Sequence, residues 1–188
     1  MKLLLLALLA VASVASAQVT VTHLVIPNYP GAAAQTTSGT GNQLICARLV
    51  APYSISGATH LTGGVTTGTG GASCGFAIYD DADGGTRRAT TGAVSCAAAA
   101  NITATVSSFS LTQGTIYRIC YCSTATATVV FMTVQDSATG TGHMADMMNQ
   151  VSTFVGTAAN GCSSGAPPTT TGALSASTGF RLPIVVVE

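Results

Sequence analysis

Six cysteines constrain this chain more than any other feature: Cys46, Cys74, Cys96, Cys120, Cys122 and Cys162. None lies in the first 45 residues, which open with a segment of a different kind. Met1-Lys2 is followed by an apolar run from Leu3 to Ala12 and then by Ala15-Ser16-Ala17. One positive charge, a short apolar core and small residues at a cleavage point are the three parts of a secretory signal peptide. The run is shorter than the roughly 20 residues a membrane helix needs. The expectation is a signal peptide over residues 1–17, a chain that continues from Gln18, and no membrane association after cleavage. An even number of cysteines behind such a leader reads as disulfides formed in an oxidising compartment, which places the protein outside the cell or on its surface.

Six cysteines allow 15 complete pairings. Cys120 and Cys122 sit two apart in a strand-like run, so they share a face and are poorly placed to bridge each other. Cys74 and Cys96 bracket a hairpin and are the favoured pair. A metal site competes poorly with disulfides, because the sequence has no Cys-x-x-Cys and only 3 histidines. No cofactor is called for.

Charged residues make up 6% of the chain, against about a quarter in an ordinary globular protein. Lys2 is the only lysine. Nucleic acid and anionic membranes are attracted by clustered Lys and Arg, so both are poor partners here. Ala, Thr, Gly and Ser supply more than half of the residues. Thr favours strands, and Gly and Ser favour turns.

Apolar and β-branched runs recur between turn signals. Val19 to Ile26 alternates and then becomes continuously apolar, a strand stopped by Pro27 and Pro30. Residues 31–42 carry no charge and no large apolar side chain, and read as a flexible linker. Strands are expected near 43–50, 53–62, 74–79, 92–96, 101–110, 115–122 and 127–134. Turns are expected at Gly63-Gly64, Asp83-Gly84-Gly85 and Gln113-Gly114. In Ile116-Tyr-Arg-Ile-Cys-Tyr-Cys122, one face takes Tyr117, Ile119 and Tyr121, and the other takes Ile116, Arg118, Cys120 and Cys122. Residues 143–155 are ambiguous: Met144, Met147, Met148 and Val151 have helical spacing, while Val151 to Val155 read as a strand. Residues 156–179 are Gly-, Ser-, Thr- and Pro-rich and read as irregular, and the chain closes on a buried strand through Ile184–Val187. The expected organisation is a signal peptide (1–17), an N-terminal strand with its linker (18–42) and a β-sandwich domain (43–188).

Within residues 74–122 the order is Cys-Gly-Phe-Ala-Ile-Tyr-Asp-Asp-Ala-Asp-Gly-Gly, a short hairpin, and Leu-Thr-Gln-Gly-Thr-Ile-Tyr leading into a core strand. This order resembles the jelly-roll β-sandwich modules of bacterial surface proteins and tail-associated phage proteins. The resemblance covers about a quarter of the chain and implies an all-β fold, an antiparallel jelly-roll-like sandwich stapled by disulfides. It says little about function, because its motifs are turn and core signals. The leader and the six cysteines depart from the phage examples.

Few motifs could carry chemistry. Gly71-Ala-Ser73-Cys-Gly75 and Gly161-Cys-Ser163-Ser-Gly165 match the nucleophile-elbow pattern. A working elbow places its serine between a strand and a helix. The first match instead runs into a strand and the second into Ala-Pro-Pro. His23, His60 and His143 are the available bases, with no coherent constellation around them. Asp80, Asp81 and Asp83 on a Gly-rich turn form a weak candidate calcium site, with Arg87 and Arg88 nearby to neutralise it. His143, Met144, Met147 and Met148 are a faint candidate for Cu(I). Asn101-Ile-Thr103 is a glycosylation sequon.

The reading that follows is a non-enzymatic structural protein that self-associates into a homopolymer, a subunit of a surface filament or assembly. The segment bearing Val19, Val21, Leu24, Val25 and Ile26 could be lent to the sheet edge of a neighbour, in the manner of donor-strand exchange. An equally simple placement pairs it within its own sandwich, beside Ile184–Val187. Two alternatives are a secreted adhesin or carbohydrate-binding module, with a glycan as ligand, and a phage tail-associated receptor-binding protein. A cluster of exposed tyrosines with Asn or Asp would favour the glycan.

Overall fold

The computed structural model describes residues 24–26, 33–38, 41–124, 129–135, 155–176, 182–183 and 185–188, and within them every regular element is a β-strand. In chain order these are β1 (Leu24–Ile26), β2 (Ala33–Ser38), β3 (Ile45–Val50), β4 (Ile55–Thr67), β5 (Ser73–Asp80), β6 (Arg87–Thr90) and β7 (Val94–Ser95). They continue with β8 (Ala100–Leu111), β9 (Ile116–Ser123), β10 (Val130–Gln135), β11 (Val155–Ala158), β12 (Leu174–Ala176), β13 (Leu182–Pro183) and β14 (Val185–Val187).

The strands form two antiparallel sheets. The first runs β1-β14-β4-β10-β13, with β8 on the other flank of β4 and β2 on the other flank of β10. The second runs β12-β11-β3-β9-β5-β6, with β7 also on β5. Leu61 and Val65 of β4, Val106, Phe109 and Leu111 of β8 and Val187 of β14 pack from the first sheet. Ala47 and Leu49 of β3, Phe76 and Ile78 of β5 and Tyr117, Ile119 and Tyr121 of β9 meet them from the second. The fold is thus a β-sandwich. Each large apolar side chain taken fully from water contributes about 1.5–3 kcal/mol.

Alternation along β9 assigns the faces as the sequence predicts. Tyr117, Ile119 and Tyr121 enter the core between the sheets. Cys120 and Cys122 join Cys46, Leu44, Ala77, Tyr79, Ala158 and Cys162 in a second cluster on the opposite side of the second sheet. That side is buried too, because residues 159–173 lie across it. The segment begins beside Asn42, whose carbonyl accepts the Cys162 amide at 2.8 Å, and Ser163 to Ala166 close a tight turn through reciprocal backbone bonds of 3.1 and 2.8 Å. Ser164 (φ 49°) and Gly165 (φ 83°) both take left-handed backbone there, as a type I′ turn requires.

Three disulfides join Cys46 to Cys120, Cys74 to Cys96 and Cys122 to Cys162. The expected Cys74–Cys96 pair is present, and Cys120 and Cys122 bridge other partners. Cys46 and Cys120 stand opposite in the β3–β9 register, with Cα atoms 4.1 Å apart. Three bridges suit an oxidising, extracellular environment. No helix among the described residues is long and apolar enough to cross a membrane.

The sequence misplaces several elements. Gly63-Gly64 is no turn but lies inside β4, which runs on to Thr67. The space over Gly63 is taken by the Phe76 ring, which a Cβ there would meet at 2.3 Å. Ala33–Ser38, read as linker, pairs with the whole of β10; backbone pairing asks nothing of the small side chains. Residues 156–179 include β11 and β12, which pair with each other, and β11 also pairs with β3. Leu24–Ile26 pairs with Val185–Val187, the second of the two placements open to it. Residues 1–23, with Val19, Val21 and the leader, lie outside the described residues, as do His143, Met144, Met147 and Met148.

Candidate functional site

A charge on the buried side of a core strand must find a partner, and Arg118 of β9 is such a charge, 6% exposed. It stands opposite Arg48 of β3 in the β3–β9 register. Two guanidiniums so placed would repel each other. Asp81, just beyond the end of β5, settles between them. Its Oδ1 accepts from Arg48 Nε at 2.8 Å and from Arg118 Nε at 3.1 Å. Its Oδ2 accepts from Arg48 Nε at 2.9 Å and also from Arg48 Nη2.

Arg118 has further donors and uses them to tie down two more segments. One terminal nitrogen donates to Thr171 Oγ1 at 2.6 Å and to the Gly172 carbonyl at 2.7 Å. The other donates to Asp83 Oδ1 at 2.9 Å. Around this centre Arg87 donates to the carbonyls of Pro167 and Pro168 at 2.8 and 3.1 Å. The Tyr79 hydroxyl donates to the Pro168 carbonyl at 2.7 Å. Arg88 pairs with Asp80 at 2.7 Å. Burial would raise the Asp81 carboxyl, but hydrogen bonds and charge from Arg48 and Arg118 outweigh it and hold its pKa below the usual aspartate value. Burial pushes the Tyr79 phenol well up, against the opposing pull of Arg87.

The result is a clamp: β3, β9, the β5–β6 turn and the segment 159–173 are joined through side chains on one outer face. The Cys122–Cys162 bridge fastens the same segment a few residues away. Gly75 and Gly165 let it approach, since a Cβ on Gly75 would meet Pro167 Cδ at 2.4 Å and the Gly165 carbonyl at 2.6 Å.

The candidate sites of the sequence fall into place around this clamp. Asp80, Asp81 and Asp83 are each engaged by an arginine. The neutralising groups are Arg48, Arg88 and Arg118 and not the expected pair Arg87 and Arg88, because Arg87 turns to the proline carbonyls. Among the described residues no three His, Cys, Asp or Glu side chains are grouped to hold a metal. The two Gly-x-Ser-x-Gly stretches meet in space at Gly75 and Gly165, which serve close backbone approach. Ser73 opens β5 and Ser163 opens a tight turn. His60 lies within reach of the Thr59 and Thr105 hydroxyls, at 3.0 and 3.5 Å. Asn101 is exposed on β8, and the hydroxyl of Thr103, in the same sequon, meets that of Thr62 at 2.7 Å. Tyr79, Tyr117 and Tyr121 are buried, and Tyr53 is the exposed large hydrophobic residue of the described part. Arg48, Arg118 and Thr171 went unnoticed as a unit. The signal was there in Arg118, an arginine flanked on its own face of β9 by a disulfide cysteine.

No protein family matches this chain, and no curated protein is detectably similar to it.

Proposed function

We propose that this protein is an extracellular structural protein, a subunit of a surface filament or surface assembly. The observation that carries the reading is the distribution of charge between the sheets. The seven strands of the first sheet contain no Asp, Glu, Lys or Arg. Of the described charges, Arg48, Asp80, Asp81, Asp83, Arg88 and Arg118 are paired with one another on the second sheet and Arg87 there binds proline carbonyls, while Glu188 stands just past the end of β14. A face and edges without charge carry no long-range repulsion against a second copy, whereas sheets that stay apart are ordinarily guarded by charge. The leader over residues 1–17 and the three disulfides support an extracellular setting.

Assembly by strand exchange has a concrete form. Among the described residues, β1 pairs with β14 through Leu24, Val25 and Ile26. The same pairing made onto the β14 of a neighbour would link subunits without any new kind of contact. The carbohydrate-binding alternative draws less support, since the described tyrosines other than Tyr53 are buried.

Protein purified from its native source without reductant is expected to give filaments or regular assemblies by electron microscopy and a high apparent mass by size-exclusion chromatography. A monodisperse monomer at all concentrations would overturn the reading. Deleting residues 19–26 is expected to leave folded protein that no longer assembles. Unchanged assembly after the deletion would sink strand exchange as its mode.

A further inference from the structure

We infer that the outer edge of β8 is a self-complementary pairing surface, and that its occupant is the β8 edge of a second copy of this chain. The inference deepens the assembly reading above and rests on it.

The direction of the backbone groups along β8 follows from its neighbour. His60 and Glu188 exchange two backbone hydrogen bonds, His60 N–H to Glu188 O at 2.8 Å and Glu188 N–H to His60 O at 3.2 Å. In an antiparallel strand the N–H and C=O of one residue point to the same side, and the side alternates along the chain. The main-chain groups of His60, Thr62 and Gly64 therefore point away from β8. Their register partners on β8 are Thr105, Thr103 and Asn101. These pairs are of the non-hydrogen-bonded kind, in which side chains come closest, and the 2.7 Å contact between the Thr62 and Thr103 hydroxyls agrees. The N–H and C=O of Asn101, Thr103 and Thr105 are thus turned outward, in the plane of the sheet. Among the described residues β8 has no strand partner besides β4.

This edge differs from the others. β6, at the edge of the second sheet, carries Arg87 and Arg88, β12 and β1 are each 3 residues long, and β2, on the outer flank of β10, is as free of charge and proline as β8 but only 6 residues long. β8 is 12 residues long, with no charge and no proline. Charges, prolines and shortness are the devices that keep sheet edges from pairing, and β8 has none of them. A two-fold axis through Thr103 would pair this outward row with itself in antiparallel register. Thr103 would face Thr103 of the second copy, and Asn101 would face Thr105 of the second copy in both directions. Each pair then exchanges two hydrogen bonds, and the two first sheets become one continuous sheet.

The test uses the full secreted chain in sedimentation and in hydrogen exchange. Association is expected to slow exchange at the amides of Asn101, Thr103 and Thr105. Thr103→Lys would set two lysines opposite each other across the axis and is expected to weaken association by about tenfold or more. Thr103→Pro removes an outward N–H that the β4 ladder does not use, and is expected to do the same. Should the proline variant fail to fold, the lysine variant carries the test, its fold checked by circular dichroism. Association unaltered by Thr103→Lys, or protection confined to other strands, would overturn the β8 interface and leave the assembly reading standing. A wild-type chain that stays monomeric throughout would overturn both.

Discussion

The two sheets of this sandwich are held together in opposite ways. In the second sheet, β3, β9 and β5 carry four of the six half-cystines, and the clamp of Arg48, Asp81 and Arg118 crosses the same strands. Its outer side is covered by residues 159–173. The first sheet has no cysteine and no charged residue in its strands, and coheres through backbone pairing and the apolar layer it shares with the second. Short cross-links and buried ion pairs fix geometry, whereas a ladder of neutral strands can be extended or exchanged. The second sheet is built as a frame, and in the assembly proposed above the first is the surface offered to other copies.

Full reduction tests the contrast most severely. Removal of a native bridge costs about 2–5 kcal/mol, and whole domains are stable by only about 5–15 kcal/mol. Breaking three bridges together is expected to abolish the cooperative thermal transition near physiological temperature, read by circular dichroism with and without reductant. An unchanged melt would refute the framing role of the disulfides. Amides of the first sheet that kept their protection in the reduced protein would show it to be independently stable, and the contrast would fail.

How far the sequence foretold this division depends on where each signal resides. The alternation of Tyr117, Ile119 and Tyr121 against Arg118, Cys120 and Cys122 is local, and it correctly placed a strand buried on both sides. The Asp83-Gly84-Gly85 turn is likewise written in its own residues. Gly63-Gly64 misled because glycine serves two ends: it permits a turn, and it also makes room for a ring from another strand, and Phe76 lies 13 residues away in sequence. Ala33–Ser38 has no side-chain pattern, so its pairing with β10 had no local trace. The clamp was half legible. The acid cluster was legible, but with Arg87 and Arg88 as its partners; its pairing with Arg48 and Arg118 depends on residues 33 to 37 apart being brought together by the β3–β9–β5 register.

The clamp itself is the next point at which the contrast can be broken. Arg118→Ala removes the donors to Asp81, Asp83, Thr171 and Gly172 together. It is expected to cost about 2–4 kcal/mol, with Arg48 still partnering Asp81. Acid should act on the same place. Because the folded Asp81 has a lowered pKa, its contribution is fully present above the unfolded value of about 3.9 and is lost as pH falls through the lower folded value. Wild-type stability in denaturant titrations should therefore decline below about pH 4. Asp81→Asn should be weaker at neutral pH and lose less on acidification. An Asn variant with the wild-type acid profile would remove Asp81 from the account.

The contact between the sheets gives the smallest and most local test. Gly63 of β4 lies under the Phe76 ring of β5, and an added Cβ would fall 2.3 Å from ring carbons. Phe76 is 1% exposed, so its ring has little room to yield. Gly63→Ala is expected to destabilise by about 1–3 kcal/mol, the usual cost of overfilling a packed core. Phe76→Leu in the same chain should restore part of the loss by shortening the side chain that the new methyl meets. Recovery would tie the cost to this one contact between the layers. A double variant no better than Gly63→Ala would place the cost in the β4 backbone, and the first sheet would then be less indifferent to its own side chains than the contrast holds.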